Sequence, residues 1–284
     1  MEQIGLLHDG QIYDLQTAEA LNIKGDIIKA DDSKESLEIL RHSCAHMMAQ
    51  AIKELYPEAK FFVGPVVKEG FYYDFKVESK ISDEDLPTIE KKMKEIADRK
   101  LPITRHETTK EEFYEKFKND ELKQAVLKNI KDDTLTIYKQ GDFEDLCRGP
   151  HLPNTRMIRS FKLTRVAGAY LGGDEKNEMI TRIYGIAFFD KQALFDYTKM
   201  IEEAKKRDHR KLGTELELFT FNDDVGAGLP MWLPNGARLR SKLEHLLYKA
   251  HRVRGYEPVR GPEILKSEMW KISGHYANYK ENMY

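Results

Sequence analysis

The chain has 284 residues, 40% hydrophobic and 33% charged, enough for about two globular domains with ordinary cores. Its formal net charge of −2 excludes a strong overall attraction to nucleic acid, so any RNA contact has to come from a local patch. Two cysteines are too few for a disulfide framework, the N-terminus lacks the features of a signal or transit peptide, and no run approaches the ~18 consecutive apolar residues of a membrane span, so we expect a cytoplasmic protein without membrane contact.

The first 33 residues predict a small β-rich segment. Asp9-Gly10, within residues 3–14, is a hairpin signal, and residues 26–29 indicate another short strand. A piece of this length is too small to build a core of its own. We therefore expect an appendage or a shortened domain.

A helix is predicted from about Lys34 to Tyr56. Asp32 and Glu35 have the spacing of a capping box at its start, and Pro57 ends it. The next elements are predicted, in chain order, as strands at 60–64 and 70–76, a helix at 85–99, helices at 109–118 and 120–129, and strands at 134–139, 157–166 and 179–188.

Three further elements are predicted around and beyond these strands. Residues Asp142 to Thr155 carry Gly, Pro and Asn and are expected to form an ordered loop. A long helix is expected from near Asp190 to just before Gly213, a glycine suited to a C-cap. Another helix is expected from Asn235 to Arg254.

Strands and helices mix without strict βαβ alternation up to about residue 205, which favours an α+β domain with a boundary near 205–215. The one strong basic run is KKRDHRK at 205–211. It offers a local RNA contact, although a solvated helix face is the simpler interpretation.

Two histidines stand four residues apart in the first long helix. His42 and His46 therefore share one face, roughly opposite the apolar stripe to which Cys44 belongs. Three interpretations remain open: surface histidines, a zinc clamp, or a polar catalytic wall that moves protons near neutral pH. Ser43 stands where the zinc-protease helix needs its glutamate, so that motif is excluded.

A second pair lies in the loop FEDLCRGPHLPNT. Cys147 and His151 are also four apart, but Gly149-Pro150 excludes a helix between them, so the loop must fold back to bring the two side chains together. Arg148 is a candidate for lowering the thiol pKa. Alone, the pattern is a weak signal, and a buried cysteine with a surface histidine is the default interpretation.

The two pairs together have the residue types of a four-ligand zinc site. The same residues are also suited to positioning a water for hydrolysis. A metal-free site is expected if the four groups are spread around a substrate, and a metal site if they converge on a point.

At these residues the sequence resembles the editing domain and following linker of bacterial threonyl-tRNA synthetases. The resemblance extends from about residue 34 to the end of the chain. The motifs that carry it are RHSCAHMMAQAI, VGPVVKEGFYYDF, FEDLCRGPH, FKLTRVAGAYLGGDEKNEM, RIYG and KKRDHRKLG. The His-x3-His and Cys-x3-His pairs are shared with alanyl-tRNA editing domains, whereas KKRDHRKLG and the residues after it resemble the threonyl branch.

The resemblance implies three parts. Residues 1–33 resemble a shortened ubiquitin-like TGS-type segment, 34–205 the editing domain (the second additional domain fold), and 206–284 the linker end and the start of the class II catalytic domain. RGYEPVRGP at 254–262 is similar to the first class II motif, which builds the homodimer interface in the family.

The family also implies cofactors. Nothing in the sequence matches the second and third class II motifs, so ATP, Mg²⁺ and one Zn²⁺ are expected only through residues beyond Tyr284, and no cofactor is expected in this fragment.

By resemblance, the editing site hydrolyses seryl-tRNA(Thr) at the tRNA 3′ end and spares threonyl-tRNA. The residues expected to line it are His42, His46, Lys123, Asp145, Cys147 and His151. A histidine or Lys123 is expected to position the water and Asp145 to hold the serine amine or hydroxyl. The family implies no bound metal, with zinc on the two pairs as the alternative. Lys123 aligns loosely, and an exposed helix lysine is the competing interpretation.

Two other functions remain open: a free-standing deacylase that edits in trans, and a metal- or RNA-binding module without catalysis. The partial catalytic domain argues against the first, because it would leave an open sheet edge.

Overall fold

The computed structural model describes residues 2–128, 130, 132–226, 228–262 and 265–283. The chain divides into two compact units, Met1–Ile201 and Glu202–Tyr284. The strands of the first unit are β1 (Gln3–His8), β2 (Gln11–Asp14), β3 (Asp26–Lys29), β4 (Lys60–Phe61), β5 (Val66–Val67), β6 (Gly70–Lys76), β7 (Ile103–Thr109), β8 (Thr134–Gln140), β9 (Phe143–Leu146), β10 (Ser160–Tyr170) and β11 (Met179–Phe188). The helices that begin in it are α1 (Leu15–Ala20), α2 (Lys34–Leu55), α3 (Leu86–Asp98), α4 (Lys110–Lys116), α5 (Glu121–Lys128) and α6 (Lys191–Lys206).

The N-terminal segment is a three-stranded sheet in the order β2-β1-β3. The predicted hairpin is confirmed: Asp9 and Gly10 both have positive φ, as its tight turn requires. The short helix α1 was not predicted, since six residues are too few to show a helical period. Ile4 and Ile28 of this sheet belong to the same hydrophobic core as α2. The segment is therefore packed into the first unit.

The central sheet has the order β10-β11-β6-β4, with β5 also paired to β6. Phe71, Tyr73 and Phe75 alternate along β6 and are buried in the core shared with α2. The predicted α2 helix is confirmed within about a residue at each end, but the capping box is wrong. Ser33 is the N-cap, and the Asp32 carboxylate instead accepts the backbone N–H of Phe189 at 2.7 Å.

A smaller sheet has the order β7-β8-β9. β8 confirms the strand predicted at 134–139, whereas β7 was not predicted, because its sequence ITRHETT is mostly polar. The loop expected over 142–155 is wrong in its first part, since Phe143–Leu146 pairs with β8 as β9. The helix predicted at 120–129 is α5; residue 129 lies outside the described residues.

Every strand pairing in the described part of the chain is antiparallel, and helices and strands are mixed, so the α+β class holds for these residues. The TGS-like and class II assignments and the bounds 1–33, 34–205 and 206–284 stay predictions. Over the described residues, no helix combines the length and the apolar character needed to cross a membrane.

The second unit contains α7 (His209–Glu215), β12 (Phe219–Thr220), β13 (Met231–Trp232), α8 (Pro234–Arg252), α9 (Ser267–Ile272) and α10 (His275–Tyr279). The single helix predicted from Asp190 to Gly213 is wrong: α6 ends at Lys206, and Asp208 caps α7 by accepting the Arg210 N–H. Gly213 lies inside α7, where a Cβ would come within 2.5 Å of the Phe219 ring. The glycine therefore serves close packing and is not a C-cap. The helix predicted at 235–254 is confirmed as α8.

Candidate functional site

His42 and His46 lie on consecutive turns of α2, with ring centroids 5.2 Å apart. His46 is buried at 4% exposure and His42 is partly buried, so the surface interpretation is wrong for His46. Cys44 belongs to the apolar core, as predicted. α2 is buried on almost every side between Ser36 and Ile52. Its polar face therefore points into the protein, toward other polar groups.

Cys147 and His151 reach the same place by a different route. The Cys147 N–H donates to the Thr136 carbonyl at 3.0 Å, which extends the β8–β9 ladder by one residue. The chain then turns at Gly149, whose φ is +76°, and the Gly149–Pro150 peptide bond is cis. The Gly149 N–H donates to Cys147 Sγ at 3.2 Å. The loop thus folds back, as the spacing required.

The four side chains converge on one point. Cys147 Sγ lies 3.1 Å from His42 Nε2 and 3.2 Å from His151 Nε2. One ligand atom from each of His42, His46, Cys147 and His151 lies within 4.8 Å of every other. Ligand atoms around tetrahedral zinc are about 3.3–3.6 Å apart, from bond lengths of ~2.0–2.3 Å. The donor set and the two short separations therefore suit a zinc ion, whereas the 4.8 Å limit for the full set is wider than tetrahedral spacing. Convergence on one point is the arrangement we expected of a metal site.

Ser43 determines which nitrogen of His151 carries a proton. The Ser43 hydroxyl donates its one proton to the Ile39 carbonyl at 2.9 Å and accepts the Leu152 N–H at 2.8 Å. Its remaining contact, with His151 Nδ1 at 3.2 Å, is therefore one in which the imidazole donates. The lone pair of His151 consequently lies on Nε2, the atom that faces Cys147.

Burial controls the protonation of the cluster. Loss of solvation lowers the pKa of His42 to about 4, opposed by hydrogen bonding to the Pro150 backbone. Desolvation also lowers the pKa values of His46 and His151 well below the usual range. The imidazoles are therefore neutral at pH 7 and have lone pairs available for a proton or a metal ion.

The prediction that Arg148 lowers the pKa of the Cys147 thiol is wrong. Burial raises the pKa of Cys147, with a smaller lowering from the Gly149 N–H. Arg148 is exposed and lies 3.3 Å from the Asp132 carboxylate. In the absence of a metal ion, Cys147 is therefore a neutral thiol.

Lys123 and Asp145 form a buried ion pair near the cluster. Lys123 is 4% exposed, so the interpretation as an exposed helix lysine is wrong. Desolvation lowers the pKa of Lys123 to about 8, and its charge opposes protonation of His46. Desolvation also raises the pKa of Asp145, and its Oδ1 accepts the Leu146 N–H at 2.8 Å.

Tyr73 is a site residue that the sequence prediction missed. Its hydroxyl donates to Asp145 Oδ2, and its ring centroid lies 6.3 Å from that of His46. The alternation of GFYYDFK would have placed Tyr73 on the same strand face as Phe71 and Phe75. That pattern indicates core packing, and it does not show that the hydroxyl meets a carboxylate.

A cavity of about 500 Å³ opens beside Lys123. Its walls combine aromatic, basic and acidic side chains, including Phe61, Phe143, Lys53, Arg99, Lys116 and Glu144. Apolar and aromatic walls with a few polar groups are typical of ligand pockets, so this cavity is a candidate ligand pocket.

Residues 135–184 match the family described as "Threonyl and Alanyl tRNA synthetase second additional domain". The matched span runs from β8 into β11 and includes Asp145, Cys147 and His151, whereas His42, His46 and Lys123 precede it. This part of the chain is therefore similar to the second additional domain of threonyl and alanyl tRNA synthetases.

Similar proteins distinguish between the threonyl and alanyl members of this family. The chain is 69% identical over 283 residues to "Threonine--tRNA ligase" of Campylobacter jejuni, an alignment covering 100% of this chain and 47% of the relative. It is 74% identical over 254 residues to that of Campylobacter lari (89% and 42%), and 67% identical over 283 residues to that of Helicobacter hepaticus (100% and 47%). Threonine–tRNA ligases thus match the chain along its whole length, which confirms the resemblance indicated by the motifs. The chain spans about half the length of these relatives.

Proposed function

We propose that this chain hydrolyses the ester of mischarged seryl-tRNA(Thr), as the proofreading part of a threonine–tRNA ligase. The observation that carries the proposal is the convergence of four neutral His and Cys side chains beside the buried Lys123–Asp145 pair. The match of residues 135–184 to the second additional domain supports the same chemistry.

A second hydrolytic site meets a physical need. Serine lacks one methyl group of threonine and keeps the hydroxyl, so a synthetic pocket discriminates between them by only ~1–3 kcal/mol, or about 10–200-fold. Hydrolysis of the wrong ester raises accuracy beyond this limit. The site must in turn exclude threonyl-tRNA, which a steric clash with the extra methyl group would achieve.

The buried groups suit ester hydrolysis. A neutral imidazole accepts a proton from the water as its oxygen attacks the ester carbonyl, and returns a proton to the ribose oxygen of the tRNA as the ester bond breaks. His42, the least buried of the three histidines, is the best placed to meet solvent. Lys123 supplies positive charge beside the reacting ester. Both oxygens of Asp145 already accept hydrogen bonds from Lys123, Leu146 and Tyr73. A serine amine or hydroxyl held by Asp145 would therefore share the carboxylate with these donors.

Zinc is the alternative for the two pairs, and the donors fit it. His42, His46, Cys147 and His151 would hold the ion. A bound zinc ion would act as a Lewis acid if one coordination position stayed open to the substrate or water. It would be mainly structural if four protein groups filled its coordination. The metal-free expectation remains a prediction.

The test is hydrolysis of pre-made seryl-tRNA and threonyl-tRNA by this chain, with and without a chelator. We expect rapid loss of the seryl ester and retention of the threonyl ester. Equal loss of both would contradict proofreading, and inhibition by chelator, reversed by added zinc, would contradict a metal-free site.

A metal-binding module without catalysis is the second candidate, favoured by the convergence of the four donors. Stoichiometric zinc uptake with no ester hydrolysis would support it. The wider assignments are also proposals: ligation of threonine with ATP and Mg²⁺, a homodimer, and the tRNA(Thr) 3′ end as partner. They derive from relatives about twice as long as this chain.

A further inference from the structure

Asp14 is a buried acid that the proposed mechanism does not use. It lies at the junction of β2 and α1, in the segment expected to be an appendage, and is only 2% exposed. A buried carboxylate is costly unless several donors satisfy it. Its partners therefore indicate its role.

The two carboxylate oxygens have different partners. Oδ1 accepts the Thr17 N–H at 2.8 Å, which caps α1. Oδ2 accepts the Tyr138 hydroxyl at 2.6 Å and the backbone N–H of His151 at 3.0 Å. One oxygen thus serves the N-terminal segment, and the other holds the loop that carries the site.

The loop backbone is packed directly against this oxygen. A Cβ added at Gly149 would lie 2.8 Å from Asp14 Oδ2 and 2.5 Å from the Tyr138 hydroxyl. The Tyr138 ring centroid also lies 4.4 Å from that of His151. Asp14 therefore contacts the backbone of the turn between Cys147 and His151, and the Tyr138 ring packs against the His151 ring.

We propose that Asp14 is a positioning residue of the hydrolytic site, by which the N-terminal segment sets where the loop presents Cys147 and His151. The inference rests on the proposed function. The loop has no helical hydrogen bonds between Cys147 and His151, so outside groups must hold it, and a carboxylate acceptor forms stronger hydrogen bonds than a neutral one. Displacement of a catalytic group by about 1 Å can cost about 100-fold in rate.

Asp14→Asn separates this role from simple helix capping. Asparagine caps helices about as well as aspartate, so the Thr17 contact survives. Its amide NH₂ group, however, would face the His151 N–H, where two donors cannot bond. Asp26→Asn is the matched control, because Asp26 is exposed on β3 of the same sheet.

The measurement is seryl-tRNA hydrolysis at saturating and limiting substrate, with the thermal midpoint recorded for each variant. We expect Asp14→Asn to lower kcat about 10- to 100-fold with KM changed less than about threefold. Asp26→Asn should match the unmodified chain. Equal kcat values for the two variants would overturn the proposal.

Tyr138→Phe keeps the proposal testable if Asp14→Asn does not fold. It removes one donor to Oδ2 and keeps the ring beside His151, so we expect a smaller loss, about two- to fivefold. The double variant should lose less than the product of the single effects, because both changes act on one contact. Multiplicative effects would count against the shared contact.

A spectroscopic arm distinguishes failure of the inference from failure of the proposed function. The imidazole ¹⁵N signals of His151, assigned by comparison with His151→Gln, should shift in Asp14→Asn and stay unchanged in Asp26→Asn. If the unmodified chain hydrolyses no seryl-tRNA, the proposed function fails while these signals still test the positioning. Unchanged His151 signals in a folded Asp14→Asn would overturn it.

Discussion

The two halves of the site are held in contrasting ways. His42 and His46 lie on a 22-residue helix whose own backbone hydrogen bonds fix their spacing. Cys147 and His151 lie on a turn held by Asp14 and Ser43, which are distant in sequence, and by Tyr138 of the neighbouring strand β8. The helix half is therefore specified locally and the loop half by tertiary contacts. Substitution of residues that support the site should therefore displace Cys147 and His151 more than His42 and His46.

The strongest test of this contrast is whether both halves form one active unit. His46→Ala and His151→Ala should each slow seryl-tRNA hydrolysis about 100- to 10,000-fold, the range for a lost acid–base group. The double variant should be no slower than about the worse single variant, because residues that act as a unit are not additive. Single-turnover rates check this, with His106→Ala, an exposed histidine on β7, as control. Fully multiplicative losses would mean that the halves act separately.

The next largest effect concerns the buried pair beside the loop. Asp145→Asn leaves the Lys123 charge buried without its partner, so we expect the free energy of unfolding to fall by about 3–5 kcal/mol. The control is Asp132→Asn, which breaks an exposed pair with Arg148 and should cost less than about 1 kcal/mol. Urea unfolding of both variants gives the comparison. Similar losses would show that the Lys123–Asp145 pair is not desolvated in solution.

Acid should weaken the cluster. The folded-state pKa of His42 is about 4, below the unfolded value of about 6.5, so between these values the unfolded chain binds a proton that the folded chain does not. The neutral His42 therefore contributes to the free energy of unfolding above about pH 6.5. This contribution, up to about 3 kcal/mol, is lost as pH falls through about 4. Urea midpoints at pH 7 and pH 5 should differ more for the unmodified chain than for His42→Gln. If the midpoints of both proteins changed equally between pH 7 and pH 5, the proton bound on unfolding would belong to a group other than His42.

The smallest expected effect is loss of the serine that links the two halves. Ser43→Ala removes the acceptor of the Leu152 N–H and of His151 Nδ1–H, so we expect about 1–3 kcal/mol of destabilisation. The rate should fall as well, because His151 is then free to take either tautomer. Exposed Ser79→Ala is the control in the same unit. A rate unchanged by Ser43→Ala would show that the loop alone determines the tautomer.

Prediction from sequence succeeded where local rules decide the structure. The i, i+4 spacing placed His42 and His46 together, and the Asp9-Gly10 turn gave the hairpin. It failed for β7 and β9, whose short or polar sequences form strands only by pairing with β8.

The supporting residues of the site show the same limit. Asp14, Ser43 and Tyr73 gain their roles from partners more than 70 residues away, which no local pattern reveals. The burial of Lys123 likewise depends on its tertiary partner Asp145. The resemblance supplied Lys123 and Asp145, whereas the periodicity of their own segments would have left both unassigned.

The pairing of β9 with β8 determines where residues 141–147 can tolerate an insertion or a deletion. Asp145 and Cys147 are two residues apart on extended backbone, so their side chains leave the same side of the chain. One inserted residue between them would turn the thiol away from the imidazoles while the composition of the site stayed intact. An insertion at the Gly141-Asp142 turn would only lengthen the hairpin connection. Natural insertions and deletions are therefore expected at that turn and not within 143–147.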